Sequence, residues 1–434
     1  MDAIFQDIHI LFVGILLLIF SATYLQHSNR IFQLDSVSIA SIFYFAYVLT
    51  IFIPSFWTFY GRIGYYRYAY IYTLMSPLVT VPVGILIINV LFRYKSEEIQ
   101  RFHSLPINDQ PKSLPRILNY CLVLIVGIAF FCCWVIEQKG NPIPLLYMLS
   151  PGHQSENLGL LREYSFKLLD SKFRYLYHLT RDFVFPLLIL VGLGNYYYSR
   201  NRPWFFLLSV SFIVGLFFAG ANISKASVFG VILLIFANMW ILKGARMHWW
   251  QIALAFILAL AFPVLVLMSA YNDYSWTGFS FAFEKMMERI FYAPSSILYY
   301  GFEIVPEHYP FQMGRFMGSL AFLFGKEPSD LAQYSAWYIT GNDYATTSVS
   351  GAFVTELYGD FGFPGVILGG VWVGMVMQWI QITIIRSPKT LFAIATYVLF
   401  IYFFSTLTYL QIGSALILSG APILWLLYKS KLLG

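Results

Sequence analysis

The run FPGVILGGVWVGMVMQWIQITII, residues 363–385, carries no charged side chain. A helix needs about 20 apolar residues to cross the hydrocarbon core of a bilayer, and this run supplies them. Pro364 suits the first helical turn, where its missing N–H costs nothing, and Arg386 and Lys389 follow the far end. Working outward, similar runs recur near 8–25, 36–56, 70–92, 117–136, 183–198, 203–220, 226–242, 249–270, 391–408 and 411–428. Together they make about eleven spans by apolar length and flanking charge. A backbone in lipid must satisfy its own hydrogen bonds, so each is expected to be a helix. The alternating pattern of an outer-membrane barrel is absent. Composition agrees: 59% of the chain is hydrophobic and 11% charged, with a mean hydropathy of +0.68, where soluble domains carry roughly 25% charged residues. The expected fold is an all-α polytopic membrane protein, a single integral membrane domain over 1–434.

The first ten residues, MDAIFQDIHI, hold acids where a secretory signal has lysines, so the first helix is expected to be retained. Cys121, Cys132 and Cys133 all fall in the fourth run and read as small core residues, silent about redox compartment. The net charge of +6 is ordinary for a membrane protein with basic cytoplasmic loops. No basic run is dense enough for nucleic acid. Arg93, Lys95, Arg101, Lys112 and Arg116, then Arg200 and Arg202, Lys243 and Arg246, Arg386 and Lys389, and Lys429 and Lys431 fall on one side of an eleven-span chain. The positive-inside rule makes that side cytoplasmic, with the C-terminus inside and the N-terminus outside. Arg62 and Arg67, in the outer loop 57–69, run against it. Totals of basic residues on the two sides are nearly equal, but the outer ones lie mostly in long loops, which the rule discounts.

Two sizeable outer loops follow, 137–182 and 271–350, and the bulk of the chemistry outside the membrane is expected there. The second holds Tyr271, Tyr274, Trp276, Tyr299, Tyr300, Trp337 and Tyr338 among charged residues, too much apolar surface for a solvated linker. There is no Walker A sequence; the nearest lookalike, Gly325-Lys326-Glu327, lacks the hydroxyl. Asp-x-Asp and His-Glu-x-x-His are likewise missing, so neither a metal nor another cofactor is implied.

The sharpest local signal is Thr355-Glu356-Leu357-Tyr358-Gly359-Asp360-Phe361-Gly362-Phe363-Pro364-Gly365. Asp360 lies close to the start of the ninth span, and the stretch before it reads as a short helix dipping into the membrane surface. A carboxylate such as Glu356 is costly there unless paired or functional; a structural acid at a capped helix start accounts for it equally well.

The Glu356–Gly365 run, followed by the Gly-rich start of the span, resembles the late motif of bacterial O-antigen and oligosaccharide repeat-unit polymerases, the Wzy family. A second resemblance lies at Gly220-Ala221-Asn222-Ile223-Ser224-Lys225-Ala226-Ser227, where members place a small-residue turn with a basic residue. Lys225 stands where some members carry Arg, and an Arg-x10-Gly spacing of certain members is absent around Arg289 and Arg315. Many spans with a long outer loop before the last helices also resemble the GT-C-like polymerase and ligase architecture.

The resemblance implies a multi-pass protein of the bacterial inner membrane with periplasmic chemistry. Its substrate would be glycans linked to undecaprenyl pyrophosphate, and its further partners membrane lipid and a polysaccharide chain-length regulator. A hydroxyl of one lipid-linked unit attacks the anomeric carbon of another, and lipid pyrophosphate leaves. A departing pyrophosphate needs fixed cations. Lys225 and Arg181, at outer helix ends, and Arg289 and Arg315, in the long loop, are the candidates, with Arg162 and Arg174 also on the outer face. Arg181 reads equally as a side chain snorkelling to the interface, and Arg289 as part of a solvated helix face. For a general base the candidates are Glu356, His308 and Asp360, with Glu303 also available. An O-antigen ligase performs the same displacement on another acceptor. A lipid-linked oligosaccharide flippase would have no evident use for a folded outer loop.

Overall fold

The computed structural model describes residues 7–33, 35–108, 116–140, 142–148, 150, 168–169, 171–221, 225–245, 248–271, 273–341 and 351–430. Among the described residues every regular element is helical. In chain order the helices are α1 (Ile8–Asn29), α2 (Ile39–Gly61), α3 (Tyr66–Leu91), α4 (Glu97–Ser104), α5 (Arg116–Gln138), α6 (Lys172–Ser199), α7 (Arg202–Ala221), α8 (Lys225–Leu242) and α9 (Trp249–Tyr271). They continue as α10 (Trp276–Met287), α11 (Ala293–Ile304), α12 (Leu331–Thr340), α13 (Phe353–Ile385), α14 (Leu391–Thr406) and α15 (Ala421–Ser430). Among the described residues six of them, α1, α2, α3, α6, α7 and α13, are long and apolar enough to cross a membrane. The runs at 117–136, 226–242, 249–270 and 391–408 also fold as helices, α5, α8, α9 and α14. The last run, 411–428, is not one helix. It divides into a π turn, Gly413–Leu418, and α15. Between them Gly420 adopts φ +84 against the Phe183 ring, a conformation that favours glycine.

The chain forms two compact units. The first comprises Met1–Ser104, Met287–Ser387 and Phe403–Ile417; the second comprises Leu105–Met286, Pro388–Tyr402 and Leu418–Gly434.

In the first unit α13 lies along α3. A Cβ on Gly374 would stand 2.2 Å from the Val81 carbonyl oxygen, and one on Gly84 would stand 2.1 Å from that of Val371. Small residues four apart, here Gly370 and Gly374, let membrane helices touch backbone to backbone, where dispersion replaces the missing hydrophobic drive. At one end of this unit Arg386 donates to both oxygens of Glu98, at 2.7 and 2.9 Å, and to the Phe92 carbonyl at 3.0 Å. The guanidinium holds the Glu98 carboxyl below its ordinary range. Nearby, Asn29 donates to Gln378 at 2.9 Å and Gln378 to Asn89 at 2.6 Å, so these buried amides satisfy one another. At the opposite end Asp7 accepts from Arg67 at 2.7 Å and from the Tyr68 hydroxyl at 2.9 Å. Arg67, one of the two arginines that run against the charge rule, is thus paired with an acid.

Within α13, Gly362 has φ +66 and ψ −159, which no helix contains. Residues 353–361 therefore form a short helix of their own. The membrane-length segment starts at Phe363 with Pro364 in its first turn, as the sequence leads one to expect.

The second unit packs α6 against α7 around Cys132, Cys133, Ile136, Tyr177, Phe185 and Phe218. The Tyr177 hydroxyl donates to the Phe218 carbonyl at 2.9 Å. Cys132 and Cys133 are buried core residues; the Cys121 side chain lies outside the described residues. Lys389 is also buried, donating to the Leu105 carbonyl at 2.9 Å, and burial pulls its amine down to about 8.

Of the loop 137–182, residues 141, 149, 151–167 and 170 lie outside the described residues; the rest includes the short helix Pro144–Met148 and the start of α6. The loop 271–350 is folded into α10, a π turn (Glu288–Tyr292), α11, a 3-10 stretch (Arg315–Phe324) and α12, up to residue 341.

Candidate functional site

The short helix 353–361 is held by aromatics. Phe353 packs on Phe43 and Tyr47, with ring centroids 6.1 and 6.4 Å away, and Tyr358 on Phe302 at 4.5 Å. These contacts fasten it into the core on two sides. Glu356 and Asp360, four residues apart, stack on the face that also carries Phe353. Both are buried, at 2% and 0% exposure, in a place where a carboxylate needs a reason to be.

For Asp360 the reason is local architecture. Its Oδ1 accepts from the Phe316 N–H at 3.0 Å, and the N–H groups of Gly314, Arg315 and Met317 also face the carboxylate. The chain reverses at Gly314 (φ +97) and enters the 3-10 stretch Arg315–Phe324, whose first N–H groups have no helical partner. Asp360 supplies one from 44 residues away. Main-chain bonds reinforce the join: the Gln312 N–H donates to Gly359 O and the Met313 N–H to Asp360 O, each at 3.0 Å. Asp360 is a helix cap.

Glu356 is placed differently. The Gln411 amide and the Ile412 N–H lie against it, and the nearest charges, Asp330 and Asp360, are both acidic. Gln411 donates its other hydrogen bond to Asp330 Oδ1 at 3.1 Å. Glu356 Oε2 and Asp360 Oδ2 are both buried without a hydrogen-bond partner. What sets Glu356 apart is its company, one main-chain N–H, a side-chain amide and two acids, where Asp360 faces a row of main-chain N–H groups. Among the described residues no group of three His, Cys, Asp or Glu could hold a metal ion.

The other residues singled out from the sequence are distributed as follows. Arg315 turns its guanidinium to the Glu327 carbonyl and the Gln312 amide, both at 3.4 Å, so it braces its own loop. His308 is exposed just after α11, its ring 5.3 Å from that of Tyr338. Arg289 is exposed in the π turn Glu288–Tyr292. These three share the first unit with Glu356 and Asp360. Arg181 belongs to the second, where it donates twice to the adjacent Asp182, both at 2.7 Å, with its guanidinium over the Tyr177 ring at 5.8 Å. Its charge is met within its own turn. Arg174 donates to the Leu169 carbonyl at 3.1 Å. Lys225 opens α8, but its side chain, like Arg162, lies outside the described residues.

Sequence reasoning did not single out the surroundings of Arg62. Its Nη2 donates to the Tyr300 hydroxyl at 2.8 Å, and its guanidinium lies over the Tyr299 and Tyr300 rings at 5.2 and 4.9 Å. Glu303 follows on α11, its carboxyl pushed up by burial while Arg62 acts in the opposite direction. The Tyr66 hydroxyl donates to Glu307. The available signal was two arginines among Tyr60, Tyr65, Tyr66 and Tyr68 in a short loop. Asp330 and Gln411 carried no such signal.

Compared with protein-family models, curated proteins and solved structures, the chain matches none.

Proposed function

We propose that the chain is a polyprenyl-pyrophosphate-dependent glycosyltransferase of the bacterial inner membrane. In this reading it joins undecaprenyl-pyrophosphate-linked oligosaccharide units into O-antigen or a related surface polysaccharide. Eleven spans set the N-terminus and both long loops on the periplasmic side and the C-terminus in the cytoplasm. The observation that supports it most is Glu356, buried in the short helix ahead of the membrane-length part of α13 with one oxygen uncommitted. Glu356 takes the proton of the acceptor hydroxyl as its oxygen bonds to the anomeric carbon. The bond from that carbon to the pyrophosphate oxygen breaks, and the lipid pyrophosphate leaves with the electron pair. Asp360 keeps the loop 312–324 in place beside it, and His308 stands as an alternative proton carrier. The pyrophosphate charge falls to Arg289 and Arg315 in the first unit; Lys225 stays a candidate on position and family resemblance, and Arg181 on its position at an outer helix end. The energy is stored in the donor, which fits a chain without a nucleotide motif.

Purified protein given a short lipid-linked repeat unit and nothing else tests this. A ladder of multiples on a gel is the expected product. Unchanged substrate with folded protein refutes the reading, and transfer only to lipid A core redirects it to a ligase. Movement of intact substrate across a vesicle membrane without bond formation would identify a flippase.

A further inference from the structure

Among the described residues the cluster around Arg62 shares no neighbour with the Glu356 carboxylate and has a chemistry of its own. Gly64, at φ +128, turns the chain between α2 and α3 and brings Arg62 over α11. Stacked on two tyrosine rings and bonded through Nη2 to Tyr300, the guanidinium has its plane fixed before any ligand arrives. It makes no ion pair among the described residues, and its remaining N–H groups are not sealed in the interior. Glu303 is half-buried on the next turn of α11 and presents a second planar polar group. Tyr338, 45% exposed and 6.2 Å from Tyr300, extends the aromatic surface.

A guanidinium donates two parallel hydrogen bonds and a carboxylate accepts two, which is what adjacent ring hydroxyls offer and take. The exposed ring of Tyr338 offers a face to the C–H side of a sugar ring, while the buried Tyr299 serves to hold Arg62. Charge selects among ligands. One arginine stands among Glu303, Glu307 and His308, so a multiply charged phosphate is repelled by the two acids. An uncharged, hydroxyl-rich ring fits.

We propose that Arg62, Tyr66, Tyr300, Glu303 and Tyr338 form a subsite for an uncharged pyranose ring in another part of the first unit than the Glu356 carboxylate. The proposal rests on the glycan-processing reading for its biological meaning. In that reading the subsite holds a sugar of the lipid-linked unit away from the reacting bond.

The test uses the full chain in detergent micelles with methyl α-D-glucopyranoside, methyl β-D-galactopyranoside and methyl N-acetyl-β-D-glucosaminide, read by saturation-transfer NMR. At least one binds, and Arg62→Gln and Glu303→Gln each weaken it roughly tenfold, the loss of one charge-assisted hydrogen bond. Melting temperatures of both variants are recorded; should Arg62→Gln fail to fold, Glu303→Gln and Tyr338→Ala carry the test. Binding by none of the three glycosides, or binding indifferent to the variants, overturns the proposal. Inorganic pyrophosphate displacing the sugar in an Arg62-dependent way overturns it too, in favour of an anion site. No turnover is read, so a missing polymer ladder and a missing sugar subsite are separate failures.

Discussion

Replacing Asp360 by alanine removes the acceptor that holds the start of the 3-10 stretch Arg315–Phe324. Its Oδ1 meets the Phe316 N–H at 3.0 Å, in a site with 0% exposure, so water does not take over the lost bond. A hydrogen bond to a charged group contributes about 1.5–3 kcal/mol, and cap deletions cost about 0.5–2 kcal/mol. The two figures describe one interaction, so about 2 kcal/mol is expected, roughly a 30-fold rise in local opening. The main-chain bonds of Gln312 and Met313 remain and confine the damage to this loop. Asp360→Asn keeps an oxygen in place and should cost under about 1 kcal/mol. Amide hydrogen exchange over residues 312–324 is the assay, since a two-unit chain need not unfold in one step. Faster exchange there in Asp360→Ala, with Asp360→Asn near wild type, is the expected pattern. Unchanged protection in the alanine variant refutes the capping argument. Stable, folded Asp360→Asn without activity would return Asp360 to the reacting groups.

Glu356→Gln preserves shape and removes the proton acceptor, so polymer formation should fall about 10²–10⁴-fold with normal expression; full activity excludes Glu356 from the chemistry. Lys389, pulled from 10.5 to about 8, releases its proton earlier in the folded chain than in the unfolded one. The unfolded state therefore binds more protons between those values, and stability rises with pH through that window. Lys389→Met should abolish the rise in a melting series from pH 7.5 to about 10.5, and an identical slope in the variant contradicts the assignment. Gly374→Ala forces a methyl to within 2.2 Å of the Val81 carbonyl oxygen, so α13 and α3 must separate. A loss of about 1–3 kcal/mol is expected, visible as a lower melting temperature; no change would mean the two helices are not in contact there.

The sequence by itself determined the class of protein. Membrane helices are written in local, additive quantities, the apolar length of a run and the charges at its ends, and both can be read without knowing what packs against them. The start of the long segment at Phe363 was legible for the same reason, because Gly362 and Pro364 punctuate a helix wherever it sits. The run 411–428 has the hydropathy of one helix, yet it breaks at Gly420, where the chain turns at φ +84 against the Phe183 ring. Tertiary structure alone decided what each charged residue does. Arg62 meets Tyr300 238 residues away, Asp360 meets Phe316 across 44, and Glu356 sits against Gln411 and Asp330. Such pairings depend on which helix faces lie together, and no local window contains both partners. Hence two carboxylates one turn apart, equivalent in sequence, separate into a cap facing a row of main-chain N–H groups and an acid set beside two other acids.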